Sequence, residues 1–200
     1  MQRAPEWFAG ADEAGRGPLA GPLVAAAVVL PPTVDLPLVN DSKLLTHEQR
    51  ESAYDCILQQ AVSIGVAAVP SYIVDRLNPH HSSLLAMKQA ICQLPMQPRG
   101  VLIDGKYTIS SLKISQKAVI DGDATYLEIA AASIVAKVIR DRIMLDYDRL
   151  YPNYGFSRHK GYGTNLHKQA LISYGPAPIH RNYLPVIEAR NRQSCLIQDK

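Results

Sequence analysis

The stretch Leu23-Val-Ala-Ala-Ala-Val-Val-Leu30, closed by Pro31-Pro32, decides the fold class. A continuous apolar run of strand length, bounded by prolines, is typical of a β-strand that is covered on both faces. A sheet covered on both faces needs helices on each side, which indicates an α/β fold. Further strand patterns lie at residues 7–11, 63–69, 100–105 and 117–120.

Helical patterns alternate with these strands. Capping-box patterns at Thr46-x-x-Gln49 and Thr125-x-x-Glu128 precede apolar residues at helical spacing, and Asn78-Pro79 places an N-cap before a proline. Helices are predicted over 46–62, from 78 to before 95, from 125 to before 152, and over 165–174 with Gly175 as the terminating residue. Loops are predicted over 31–45 and 153–164. We therefore expect a sheet domain over 1–150 and a mostly helical C-terminal extension over 151–200 that packs on it.

Composition and charge exclude several classes of protein. The 200 residues are 47% hydrophobic and 20% charged, as in a soluble globular protein. The net charge of +3 excludes a histone-like polycation but permits a basic binding face. No apolar run approaches the roughly 20 residues that span a bilayer, and no signal-peptide pattern is visible. Three cysteines without a CxxC pair favour a reducing compartment, so we expect a cytoplasmic protein without a membrane partner.

Acidic residues follow three of the predicted strands. Asp12 and Glu13 come after the first strand, Asp104 ends the strand near residue 101, and Asp123 lies in a loop after the last strand. Ligands of open α/β sheets bind beyond the carboxyl ends of strands, where these side chains can converge. Carboxylate oxygens suit Mg²⁺ or Mn²⁺, and two such ions about 4 Å apart can activate a water against a phosphodiester.

Two alternatives weigh against this reading of the acidic residues. Asp and Gly at strand ends are ordinary turn formers. Neighbouring strand residues also point to opposite faces, so Asp12 and Glu13 share a site only where the strand breaks, as Gly15-Arg16-Gly17 permits. The segment Gly10-Ala-Asp-Glu-Ala-Gly-Arg-Gly17 loosely mimics a P-loop, but Arg16 and Gly17 replace the Lys and Ser/Thr that nucleotide binding needs. What remains is a loop of small residues that lets a backbone approach a ligand closely.

Five segments in order resemble bacterial ribonuclease HII, from about Trp7 to Val186. They are Asp12-Glu-Ala-Gly-Arg-Gly-Pro18, Asn40-Asp-Ser-Lys43, Leu102-Ile-Asp-Gly105, Ala131-Ala-Ser-Ile-Val-Ala-Lys137 with Arg140-Asp141, and His159-Lys-Gly-Tyr-Gly-Thr164. The resemblance implies a ribonuclease H-like fold with a central mixed sheet flanked by helices. It implies a monomeric, Mg²⁺- or Mn²⁺-dependent endonuclease, acting through two ions. Its substrates would be RNA–DNA hybrids and DNA duplexes with embedded ribonucleotides, as in ribonucleotide excision repair, and the products would carry 3′-hydroxyl and 5′-phosphate ends.

The resemblance also assigns roles to individual residues. Asp12, Glu13, Asp104 and Asp123 resemble the family's four catalytic metal ligands. Gly15, Arg16 and Gly17 resemble the loop that reads the ribonucleotide 2′-hydroxyl through backbone groups, the feature that separates RNA from DNA. Tyr162 resembles the tyrosine that stacks near the RNA–DNA junction.

The chain departs from the family pattern at three places. Leu44 stands where a second Lys is common, and Asp121-Gly122 stands where Lys-Gly is common. Asp121 therefore adds a carboxylate that competes with Asp123 for the assignment. His180-Arg-Asn-Tyr183 stands where His-Arg-Ser-Phe is common, and no functional consequence is assigned to that change.

Other residues are candidates for substrate contacts. Lys43, Lys137, Arg140 and Lys160 can bind phosphates, although Lys and Arg are ordinary surface residues. Ser133 is either a substrate contact or a small residue that allows close helix packing. His159 either takes part in acid–base chemistry at the bound substrate or positions the loop over 158–164 that carries it.

Two other functions remain open at this stage, and a third is set aside. Another nuclease on the same fold, such as a junction resolvase or an exonuclease, would cleave all-DNA duplexes. Ribonuclease HIII would need an extra N-terminal domain, for which the position of Asp12 leaves no room. A non-catalytic hybrid-binding module would bind with strong salt dependence but without cleavage.

Overall fold

A mixed five-stranded sheet forms the centre of the structure, a computed structural model that describes residues 1–39, 45–183 and 185–191. The strands are β1 (Phe8–Ala14), β2 (Leu23–Val29), β3 (Ser63–Val69), β4 (Gly100–Asp104) and β5 (Ser115–Val119), in the spatial order β3-β2-β1-β4-β5. The pairs β1–β2 and β2–β3 are antiparallel, whereas β1–β4 and β4–β5 are parallel. This confirms the predicted α/β fold with a central mixed sheet.

Helices cover both faces of the sheet. They are α1 (His47–Gln60), α2 (Ser71–Cys92), α3 (Gly122–Thr125), α4 (Leu127–Leu150), α5 (Phe156–His159) and α6 (Asn165–Tyr174). On one face α2 packs on Ala25 and Ala27 of β2, and on the other face α1 and α4 pack on Ala26 and Val28. Every residue of β2 is buried, which explains its continuous apolar sequence.

The described part of the C-terminal segment contains a 3₁₀ turn (Pro152–Tyr154), α5, α6 and helical residues 185–191. Phe156, Leu171 and Val186 form a third apolar cluster with Leu19 and Met144 of the sheet domain. The domain boundary near residue 150 stays a prediction. No helix among the described residues is long and apolar enough to cross a membrane.

One predicted boundary is wrong and another is confirmed. β1 continues to Ala14, because Asp12, Glu13 and Ala14 still pair with β2, so the two acids lie inside the strand rather than after it. The helix start predicted at Asn78-Pro79 is present, because Asn78 is non-helical (φ 64°, ψ 163°) and its side-chain oxygen accepts the capping hydrogen bond from the His81 amide at 3.1 Å. A helical segment that begins at Ser71 precedes this kink, and the two segments together form α2.

The two predicted capping boxes behave differently. Thr46 and Gln49 form theirs reciprocally, at 3.2 and 2.9 Å. Thr125 does not cap α4, because Glu128 instead accepts hydrogen bonds from the Arg3 guanidinium and the Ala4 amide. The loop predicted around Asp123 contains the short helix α3, and the loop predicted over 153–164 contains α5 and most of the 3₁₀ turn.

Candidate active site

Asp12 and Glu13 point to opposite faces of the sheet, as strand geometry requires. The Asp12 carboxylate lies on the α4 face, where Ser133 hydrogen-bonds to it, and it is only 5% exposed. The Glu13 carboxylate lies on the α2 face, where Ser83 hydrogen-bonds to it. β1 ends at Ala14, directly before the break predicted at Gly15-Arg16-Gly17, so Asp12 and Glu13 still alternate within the strand and their carboxylates flank the edge of the sheet from either side.

Asp104 completes this edge because it ends β4, the parallel neighbour of β1. Its Oδ1 accepts a hydrogen bond from the Gly122 amide at 2.8 Å, which joins β4 to the start of α3. A Cβ on Gly122 would lie 3.1 Å from that oxygen and 2.6 Å from Ile129, so glycine permits the close approach. Asp123, the next residue, is buried in the first turn of α3.

The carboxylates disturb one another electrostatically. Burial raises the pKa of Asp12 well above its ordinary value, and the nearby charges of Glu13 and Asp104 raise it further. Burial is also the main cause of the raised pKa of Glu13. A divalent cation would offset this repulsion, and an all-oxygen donor set suits Mg²⁺ or Mn²⁺. The carboxylates line the cleft without forming a closed cage, since no three or more His, Cys, Asp or Glu side chains in the described ranges are already drawn together as a ready-made ion site.

All four predicted acids line one cleft of about 350 Å³. Its other lining residues include Gly15, Arg16, Gly17, Arg50, Ser133, Lys137 and Tyr162. The Lys137 ammonium lies 2.7 Å from Asp141 and 5.9 Å from the centre of the Tyr162 ring. The Tyr162 side chain is 43% exposed and thus available to a ligand. The cleft therefore combines carboxylates, cations, an accessible aromatic ring and a glycine-rich backbone.

The Gly15–Gly17 loop combines a packed glycine with an open one. Gly15 has φ +97°, and a Cβ there would lie 2.2 Å from Nε of Arg140, so only glycine fits. Gly17 is exposed, and a Cβ there would meet nothing within 4 Å. The space above Gly17 lets a ligand approach the backbone closely.

A second groove of about 450 Å³ lies on the α2 side. It shares Glu13, Arg16 and Asp104 with the cleft, and Asp121 lines it. Asp121 is exposed and lies outside the cleft lining, whereas Asp123 is buried and lines the same cleft as Asp12. The arrangement favours Asp123 over Asp121 as the partner of Asp12.

Three of the predicted substrate contacts lie away from the cleft surface. Arg140 is fully buried, and its guanidinium donates to the carbonyls of Pro22 and Ala20. His159 is 7% exposed and donates to the Tyr154 carbonyl at 2.9 Å, which supports the alternative that it positions the loop. Lys160 binds the Ser157 carbonyl and lines neither groove. The burial of these residues and their hydrogen bonds within the protein do not favour direct substrate contacts, which stay predictions. Lys43 lies outside the described residues.

Three residues at the site escaped the sequence analysis. Arg50 of α1 lines the cleft, Ser83 of α2 hydrogen-bonds to Glu13, and Arg181 packs beneath the glycine-rich loop. The capping box at Thr46 placed Arg50 on a helix but not near the site. No local pattern pointed to Ser83 or Arg181.

Known proteins resemble this chain along most of its length. The sequence model of the family described as ribonuclease HII matches residues 9–184. Ribonuclease HII of Geotalea daltonii is 51% identical over 174 residues, which are 87% of this chain and 80% of the relative. Ribonuclease HII of Geobacter sp. strain M21 is 53% identical over 174 residues, which are 87% and 75% of the two chains.

Solved structures share the fold. Ribonuclease H2 from Pyrococcus horikoshii OT3 superposes with a TM-score of 0.76 at 26% identity, covering 92% of this chain and 97% of that one. Bst-RNase HIII in complex with Mn²⁺ superposes with a TM-score of 0.68 at 17% identity, covering 94% and 70%. The family match spans β1 to the C-terminal cluster and includes every carboxylate of the cleft. The chain therefore belongs to the ribonuclease HII family of endoribonucleases, which cleave the RNA of RNA–DNA hybrids.

Proposed function

We propose that this chain cleaves RNA–DNA hybrids, and DNA duplexes at single embedded ribonucleotides, in a reaction that depends on Mg²⁺ or Mn²⁺. The observation that carries the proposal is the convergence of Asp12, Glu13, Asp104 and Asp123 beside the Gly15–Gly17 loop. Carboxylates supply cation ligands, and an open backbone loop supplies hydrogen-bond groups for a 2′-hydroxyl. One chain provides both parts, which supports action as a monomer.

The four carboxylates would hold the metal. Their oxygens match the donors that Mg²⁺ and Mn²⁺ prefer. Burial, and after it the charge of neighbouring carboxylates, raises the pKa of Asp12 and Glu13, and bound cations would stabilise their ionised forms. Two ions bound there would supply an activated water and neutralise charge on the phosphate. The Mn²⁺ complex of Bst-RNase HIII, a protein of the same fold, is in keeping with this choice of metal.

The remaining cleft residues would bind and orient the nucleic acid. Arg16, Arg50 and Lys137 place positive charge around the carboxylates, where a phosphate backbone would pass. The Tyr162 ring would pack on a sugar or base at the boundary between RNA and DNA. The loop amides would donate to the 2′-hydroxyl, and this contact would select RNA over DNA at the cut.

A cleavage assay with a single ribonucleotide tests the proposal. Two labelled duplexes that differ by one 2′-hydroxyl are incubated with Mg²⁺, with Mn²⁺ and with EDTA. We expect cutting on the 5′ side of the ribonucleotide with either metal, 5′-phosphate and 3′-hydroxyl ends, and no product with EDTA or from the all-DNA duplex. Cleavage of the all-DNA duplex would favour another nuclease activity, and binding without cleavage would favour a non-catalytic module.

A further inference from the structure

Two arginines lie beneath the loop that carries Gly15 and Gly17. Arg140 of α4 and Arg181 of the C-terminal segment are both fully buried. Neither forms an ion pair with a carboxylate in the described part of the chain. A buried guanidinium without a carboxylate partner is costly unless its donors find other acceptors, so the partners they do have indicate a specific role.

Those partners are main-chain carbonyls of one loop. Arg181 donates through Nη2 to the Gly15 carbonyl at 2.7 Å and through Nη1 to the Arg16 carbonyl at 2.9 Å. It also donates to the Gly21 carbonyl through Nε and Nη2, at 3.1 and 2.9 Å. Arg140 donates to the carbonyls of Ala20 and Pro22 at the far end of the loop. The two guanidinium groups thus hold both ends of the segment over residues 15–22, which includes the Gly15–Gly17 loop.

The direction of the carbonyls fixes the direction of the amides. In a trans peptide the C=O and the following N–H point in opposite directions. The structure contains no cis peptide bond in its described ranges. Because the Gly15 and Arg16 carbonyls point inward to Arg181, the amides of Arg16 and Gly17 point away from it, on the exposed side of the loop. No described residue accepts a hydrogen bond from either amide, so both are available to a ligand.

We propose that Arg181 is a positioning residue for recognition of the ribose 2′-hydroxyl, because its guanidinium fixes the peptide planes whose amides face the cleft. The inference rests on the proposed function, in which the loop backbone reads that hydroxyl. It assigns a role to the His180-Arg-Asn-Tyr183 segment, which the sequence analysis left without one. Arg181 touches no reacting atom, so it acts through the loop alone.

The surrounding contacts make the loop and the C-terminal segment one unit. The Arg181 amide donates to the Leu19 carbonyl at 2.8 Å, and the Leu19 amide donates to the Gly161 carbonyl at 2.8 Å, next to Tyr162. The Tyr183 hydroxyl donates to the Arg16 carbonyl at 3.3 Å, from the same side as Arg181. The segment therefore connects the loop to the residue beside Tyr162 as well as to the C-terminal cluster.

Only arginine can hold three carbonyls in this way. Its planar fork offers five donors in fixed directions, whereas a lysine ammonium is a point charge on a flexible stem. Arg181→Lys keeps the charge and most of the apolar contact while it loses the fixed pattern of hydrogen bonds. This substitution separates the positioning of the loop from the presence of a buried cation.

The experiment compares the affinities of the full-length protein for two duplexes that differ by a single 2′-hydroxyl. Binding is measured with Ca²⁺ in place of Mg²⁺, since Ca²⁺ also takes oxygen ligands, and gels check that the strands stay intact. The quantity of interest is the dissociation constant for the all-DNA duplex divided by that for the ribonucleotide duplex. This ratio is independent of the fraction of folded protein. For Arg181→Lys we expect this ratio to fall about tenfold with little change in all-DNA affinity, because the loop amides lose their fixed direction.

Matched variants separate positioning from general stability. Val186→Ala creates a cavity in the same C-terminal cluster and should lower the melting temperature without changing the ratio. Arg149→Lys makes the same chemical change at an exposed site and should change neither quantity. Tyr183→Phe removes only the hydroxyl that donates to Arg16, and we expect a smaller fall in the ratio from a protein that still folds.

Two results would overturn the inference in distinguishable ways. If the wild-type protein prefers the ribonucleotide duplex and both Arg181→Lys and Tyr183→Phe keep the full preference, the positioning role is wrong and the proposed function stands. If Arg181→Lys does not fold, Tyr183→Phe alone decides in the same manner. If the wild-type protein shows no preference, the proposed function and the inference fail together.

Discussion

Asp12 and Glu13 are neighbours in β1, yet their carboxylates receive hydrogen bonds from helices on opposite faces of the sheet. Ser133 of α4 donates a hydrogen bond to Asp12, and Ser83 of α2 donates one to Glu13. The charge of Asp104, at the end of β4, raises the pKa of both. The strand therefore splits the acidic cluster between two helices, each of which holds one carboxylate in place.

Asp12→Asn should abolish most turnover and leave the fold intact. The amide keeps the shape of the side chain, removes a metal ligand and relieves repulsion with Glu13 and Asp104. We expect the cleavage rate to fall about 100-fold or more, since a central electrostatic contribution is lost. The melting temperature at neutral pH should stay the same or rise. Asp146→Asn, at an exposed site of α4, is the control, and near-normal cleavage by the Asp12 variant would remove Asp12 from the site.

Ser83→Ala should weaken metal use, whereas Ser82→Ala should not. Both serines are buried and adjacent in α2, but only the Ser83 hydroxyl reaches Glu13, and the Ser82 hydroxyl has no hydrogen-bond partner among the residues that the structure describes. Loss of a group that orients a ligand typically costs at least about tenfold in metal affinity or activity. The measurement is the Mn²⁺ concentration that gives half-maximal cleavage. Equal values for the two variants would show that Ser83 does not support Glu13.

Sequence reasoning located the sheet and the acidic residues because each has a local signal. The run from Leu23 to Leu30 is apolar since both faces of β2 are buried, and that composition is visible without any partner. The end of β1 was misplaced because its pairing with β2 continues past Asp12 and Glu13, against the low strand propensity of acidic residues. Tertiary pairing outweighed local preference there.

The supporting residues of the site had no such signal. Arg181 binds carbonyls that are more than 160 positions away in sequence, so nothing near it in the chain indicates the contact. The capping box predicted at Thr125 does not form for a similar reason, since the Glu128 carboxylate accepts hydrogen bonds from Arg3 and Ala4 near the N-terminus. Carboxylates at strand ends can be read from sequence, whereas the groups that orient them depend on the folded chain.

Gly17→Ala should impair substrate recognition without affecting stability. A Cβ at Gly17 would meet no protein atom within 4 Å, and its φ lies outside the left-handed region, so the folded chain tolerates it. The methyl group would occupy the space through which a sugar approaches the loop. We expect an unchanged melting temperature and a raised KM for a single-ribonucleotide duplex. An unchanged KM would show that the substrate does not approach this part of the backbone.

Gly10→Ala should lower the stability of the fold, in contrast to Gly17→Ala. A Cβ on Gly10 would lie 2.1 Å from the Glu128 carbonyl carbon, which is backbone of α4 and cannot move aside alone. The strand and the helix would have to separate, at a cost of about 3 kcal/mol of unfolding free energy or more. Urea unfolding followed by circular dichroism measures this loss. A variant as stable as the wild type would contradict the close packing of β1 on α4.

Three buried histidines should make the C-terminal cluster sensitive to acid. His180 Nδ1 accepts from the Ala177 amide, His180 Nε2 lies 2.9 Å from His167 Nε2, and His167 Nδ1 lies 2.9 Å from the Tyr162 carbonyl. Neutral rings satisfy all of these hydrogen bonds when each ring donates through one nitrogen and accepts through the other. His159 stacks on His167 with a centroid distance of 4.4 Å.

The pH dependence follows from the direction of the shifts. Burial lowers the pKa of His167 and of His180 to about 4, below the ordinary value of 6.5. The unfolded chain therefore binds more protons between these values, so this part of the stability is complete above pH 6.5 and is lost as the pH falls toward 4. We expect the melting temperature of the wild type to fall between pH 7 and pH 5. His180→Gln, which keeps a donor and an acceptor, should show a smaller fall, and His47→Gln at the start of α1 should behave as wild type. An equal fall in melting temperature between pH 7 and pH 5 for all three proteins would contradict hydrogen bonding between neutral His167 and His180.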